Sequence, residues 1–96
     1  MEMKFIVVYN NGEKQNTTAV FPDFVMFERT WNRSIANFEK EIRLTDIGWL
    51  AWKSLTRTKV TNLPFEPEWL NSVLSVELAE DNEVPVPLDS PAQLDG

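Results

Sequence analysis

Hydrophobic and polar positions divide this chain into a strand pair followed by helices. Residues 4–9, KFIVVY, are β-branched and aromatic and read as a strand. Asn11 and Gly12 come next, a two-residue hairpin signal, because both tolerate the positive φ of a type I′ turn. With that loop Tyr9 faces Lys14, Phe5 faces Thr18, and TTAVF is the return strand. Either Phe5 and Val7, or else Ile6 and Val8, supply the face that docks on the rest. The pattern predicts strands at about 3–9 and 15–21.

The period then lengthens to that of a helix. Phe24, Phe27 and Trp31 fall three and four apart on one face, with Asp23 placed to cap the start. The stripe runs on through Ile35, Phe38 and Ile42. Asn32, Arg33 and Ser34 favour caps and turns and predict a break there. A first helix at 24–33 and a short helical turn at 35–40 follow. A second helix is expected over 44–57, with Thr45 as its cap. Ile47, Leu50, Ala51 and Leu55 gather on one side of it, and Leu44 joins them. Gly48 in its interior costs about 1 kcal/mol against alanine, and a smooth spot for close packing would compensate.

A third helix is expected at 67–76. Pro67 suits a first helical position, Phe65 and Leu70 suit a hydrophobic staple, and Trp69, Leu70, Val73 and Leu74 form its buried face. After Ala79 the pattern dissolves into EDNEVPVPLDSPAQLDG. The predicted class is therefore α+β, mainly helical. An N-terminal hairpin (3–21) packs on about three helices within 24–79. Residues 1–80 make a single small domain, and 81–96 an extended acidic, Pro-containing tail.

Charge changes the picture at one end. The net charge is −6, and residues 1–76 hold nine acids and nine bases. The whole imbalance is Glu77, Glu80, Asp81, Glu83, Asp89 and Asp95, the acids of 77–96. A neutral body has no excess positive charge for a phosphate backbone, which argues against nucleic acid as a partner. The acidic end is most simply a solvated one. No apolar run approaches the roughly 20 residues of a membrane span. MEMKFIVVY is too strand-like for a signal peptide, and a soluble, cytoplasmic protein is expected.

The chemistry-bearing residue types are few. The chain has no Cys and no His, which excludes thiol nucleophiles, disulfides and a Ser-His-Asp triad. With 3 Gly it has no Gly-rich phosphate loop. Glu39 and Glu41 do not share a helical face, and Glu66 and Glu68 suit a helix N-terminus as solvated acids. Ser34, Ser54 and Ser72 have no candidate base. No enzyme activity, cofactor or metal is expected. Trp31 and Trp69 read as core. Trp49 and Trp52 lie away from the Leu50 side of their helix, so they meet the hairpin or a partner. Trp52 reads as core, and Trp49 as the partly exposed contact. Trp49, Trp52 and Lys53 are the candidate partner-binding residues.

The order of these pieces resembles the tail assembly chaperones of long-tailed siphophages, especially the short forms in phages of actinobacteria. The matching residues are Phe27, Glu28, Arg29 and Trp31; Leu50, Ala51, Trp52, Leu55 and Arg57; and Phe65, Trp69, Leu70 and Val73. The resemblance covers about residues 4–80. The chain departs from it at Asn32, Arg33 and Ser34, where such proteins often carry glycine. The resemblance implies a non-enzymatic protein that binds the tape measure protein and keeps it soluble before tail tube polymerisation. It also implies contacts with the tail tube protein or with further copies, residence in the host cytoplasm, and absence from the mature virion. Two other classes stay open: a structural virion component, such as a minor tail or connector protein, and a small acidic inhibitor or antitoxin-like protein.

Overall fold

The computed structural model describes residues 1–79. Strand β1 (Glu2–Tyr9) turns into β2 (Lys14–Val20), and helix α1 (Phe21–Trp31) follows at once. A 3-10 helix spans Ile35–Glu39, then α2 spans Leu44–Arg57. A π-type turn at Phe65–Trp69 runs into a single turn, α3 (Leu70–Ser72), which leads into β3 (Val73–Leu78). The antiparallel sheet has the order β2-β1-β3. The helices cover one face of it. The expected tail at 81–96 lies outside the described residues.

The hairpin forms where its sequence predicts, but its register is displaced by one residue. Phe5 pairs with Thr17 and Val8 with Lys14. The loop has three residues, not two. Gly12 N–H donates to Tyr9 O, Gly12 takes φ 91°, and Asn11 stays out of the positive-φ region that a type I′ turn needs. The reason is tertiary. Asn10 donates its backbone N–H to Ser72 O and its side-chain N–H to Asn71 O, so the loop is tied to α3. Asn11 Oδ1 accepts from Glu13 N and closes the turn. Period-2 alternation then sends Met3, Phe5 and Val7 inward with Ala19.

Each long helix starts on an aspartate one turn inside it: Asp23, the residue expected to cap α1, and Asp46 in place of the Thr45 expected to cap α2. Asp23 Oδ2 accepts the backbone N–H of Val20, and Arg57 Nε reaches both its carboxylate oxygens at 2.9 and 3.1 Å. Asp46, not Thr45, serves α2. It accepts from Arg43 N at 3.0 Å, from the Arg43 guanidinium, and from Arg33 Nη1 at 2.6 Å. Asp46 is fully buried, and burial alone would raise its pKa. The Arg43 and Arg33 hydrogen bonds overcome that and hold the carboxyl below the ordinary aspartate range. The same two arginines bind the 32–43 connection to α2. Asn32, at φ 54°, ends α1, and Ser34 Oγ caps the 3-10 helix by accepting from Ala36 N.

The expected third helix at 67–76 stops at Ser72, and helix over 24–79 is broken by a strand. VLSVEL supports both a helical stripe and a β-rich strand. The free edge of β1 decides between them: Val7 pairs with Val76 and Phe5 with Leu78. The hairpin thus becomes a three-stranded sheet, which can be stable where an isolated hairpin is marginal. Among the described residues no helix is long and apolar enough to cross a membrane.

Candidate functional site

Seven aromatic rings form a connected series through the helical layer. Phe38 meets Phe27, Phe27 meets Trp49, and Trp31 also meets Trp49, in edge contacts at 5.3, 6.1 and 6.5 Å between centroids. Trp49 meets Trp52 at 5.7 Å, Trp52 meets Phe65 at 5.6 Å, and Phe65 stacks on Trp69 at 6.1 Å. The series connects α1, the 3-10 helix, α2 and the π-type turn. Phe65 therefore pairs with Trp69, while Leu70, its expected staple partner, is exposed.

The series reverses the expected roles of the two tryptophans. Trp49 is 5% exposed and belongs to the core, while Trp52 is half-buried. The wheel misled because α2 is enclosed on two sides. Its Leu50, Ala51 and Leu55 side is buried with the sheet, where Ser54 Oγ lies 2.6 Å from Thr17 Oγ1. Its Trp49 side is buried against Phe27 and Trp31 of α1. Trp52 lies at the edge of that second contact. Its indole N–H donates to Leu63 O at 2.8 Å, and Lys53 Nζ sits 5.8 Å from its ring centroid.

Of the three candidate residues, the structure brings Trp52 and Lys53 to one surface and withholds Trp49. Trp52 and Lys53 line an open groove of about 1010 Å³ with Thr56, Lys59, Val60 and Leu63. Its far wall is the chain leaving α2. That helix ends in a Schellman arrangement, in which Lys59 N–H donates to Thr56 O and Val60 N–H to Leu55 O.

A second groove runs along the start of α2. Two hollows of about 310 and 300 Å³ share Leu44, Gly48 and Leu70. Trp31 and Phe65 close one end; Val73, Leu74 and Val76 line the other. Leu44 is 86% exposed and Leu74 70% exposed. These leucines were expected in the core. A Cβ added at Gly48 would meet nothing within 4 Å, so the close packing expected to compensate this glycine is not made among the described residues. The sequence signal was Leu44, Leu70 and Leu74 beside a mid-helix glycine, and core packing reads from it equally well.

Among the described residues no group of three or more His, Cys, Asp or Glu side chains gathers to hold a metal ion. Comparison with protein families, with curated proteins and with solved structures finds no match.

Proposed function

We propose that this protein is a non-enzymatic tail assembly chaperone that holds an amphipathic helix of a phage tape measure protein. The observation that carries the reading is the groove over Gly48. Leu44, Leu70 and Leu74 stand exposed around Gly48, which is itself buried at the floor of the hollow and where an added Cβ would meet nothing within 4 Å. A glycine there lets another helix approach closely, and the leucines can take its apolar stripe. The order of aromatic and leucine positions that resembles the siphophage chaperones supports the same reading.

Such a role explains why no reacting group is required. A tape measure protein is long and helical, and many copies of a small chaperone along it bind with avidity although each contact is weak. Weak single contacts also let tube subunits displace the chaperone as the tube grows. The test is co-expression with a candidate tape measure protein, a long helical chain, followed by pull-down and by mass spectrometry of purified virions. Capture of that protein together with absence from virions supports the chaperone. Presence at stoichiometric level in virions would replace it with a structural virion component.

A further inference from the structure

We propose that the Trp52–Lys53–Lys59 groove binds a carboxylate-bearing, partly apolar segment of the polypeptide partner, a contact separate from the Gly48 groove. The proposal rests on the reading of this protein as a chaperone for an extended polypeptide. Two independent observations carry it.

The first is charge. The groove is lined by Trp52, Lys53, Thr56, Lys59, Val60, Thr61, Asn62, Leu63 and Pro64, with no acid among them. Neither lysine has an ion-pair partner among the described residues. Lys53 instead lies by the Trp52 ring. In a chain of net charge −6, two cations that border one groove and have no ion-pair partner among the described residues favour a negatively charged occupant. Val60, Leu63 and Pro64 add apolar walls, which suit side chains better than a phosphate backbone. Two lysines are too few to draw a polyanion to an acidic protein.

The second observation is conformational. Lys59 has φ 65°, at the position after a helix where glycine is preferred. A left-handed conformation costs a side-chain-bearing residue about 1–2 kcal/mol. The fold would be served better by glycine. A residue held against local preference points to a use outside the fold. Here that backbone puts Lys59 in the lining of the same groove as Lys53.

The experiment uses the full chain and two fluorescent amphipathic peptides with the same leucine stripe. One stripe is flanked by glutamates, the other by lysines. Binding is read by anisotropy at low and high salt, for the wild type and for Lys53→Gln, Lys59→Gly and the double variant. The glutamate peptide should bind more tightly than its lysine twin. Each single variant should weaken it by about two- to five-fold at low salt, the range for an exposed charge pair. Salt should abolish the difference. Lys59→Gly should melt no lower than the wild type, which separates lost charge from lost fold.

Equal binding of the two peptides, unmoved by the lysine variants, overturns this assignment and leaves the chaperone reading intact. No binding of either peptide overturns both. A peptide of residues 80–96 that outcompetes the glutamate probe gives the groove to the chain's own end. A dimer that sediments as such only with both lysines present gives it to a second copy. Lysine-dependent binding of a single-stranded oligonucleotide gives it to nucleic acid. Each of these three also overturns the proposal.

Discussion

Trp49 and Trp52 touch at 5.7 Å between ring centroids, yet one is core and the other is half-buried at its edge. Trp49 is held by Phe27 and Trp31 on its inner side. Trp52 covers it from outside and is itself anchored through its indole N–H to Leu63 O. The pair therefore links the interior of the fold to the groove that Lys53 and Lys59 border.

Trp49→Ala should destabilise the protein by about 3–5 kcal/mol, the cost of removing a buried tryptophan. Urea unfolding followed by circular dichroism measures it. A loss below about 1 kcal/mol would mean that the ring is not enclosed as described.

Gly48→Ala should stabilise the fold by about 0.5–1 kcal/mol, because alanine is the better helix former and its methyl enters open space. Thermal melting reads the sign. A fall in Tm would show that another part of the chain already packs on Gly48.

Stability should decline in acid through Asp46. Its folded pKa lies below the ordinary value of 3.8. The stabilisation it gives is therefore present above that value and is lost as pH falls through the folded pKa. Asp46→Asn should flatten this limb of the stability curve. At neutral pH it should cost about 3 kcal/mol, because the mostly buried Arg33 loses its carboxylate. Denaturation midpoints from pH 7 down into the acid limb test both statements. An unchanged acid limb in the variant would assign it to other carboxylates.

Amide exchange should protect the Val73–Leu78 segment together with β1, as ladder partners. Leu78→Pro should destabilise more than Leu74→Pro, since Leu78 pairs directly with Phe5 while Leu74 stands at the bulge opposite Val8 and Tyr9. Exchange of 73–78 as fast as an exposed loop would return that segment to the helical reading.

Much of the architecture was legible from periodicity alone. The hairpin, the break at Asn32–Ser34 and helix α2 follow from strand composition, turn-forming residues and the 3.6-residue stripe. What failed was decided by contacts distant in sequence. Asn10 is drawn to Asn71 and Ser72, which lengthens the loop and shifts the register. VLSVEL becomes a strand because β1 has a free edge beside it. The tryptophan roles reversed because α2 is covered on two sides, which a helical wheel does not reveal. Lys53 was legible as a candidate contact, but Trp52, which shares its groove, reads from the sequence as core. The contribution of Lys59 was not legible, since only its left-handed backbone sets it apart.

In the proposed function the groove over Gly48 holds a helix of a tape measure protein, and Gly48→Leu would block that groove. A Cβ added at Gly48 meets nothing within 4 Å, and a leucine there would extend toward the hollow of about 300 Å³ that Gly48 lines, where the proposed helix would lie. Pull-down of the co-expressed tape measure protein is compared between the wild type and this variant, with melting temperature as the control for folding. The variant should melt no lower than the wild type and capture little or no partner. Full capture by a folded Gly48→Leu protein would contradict the proposed function.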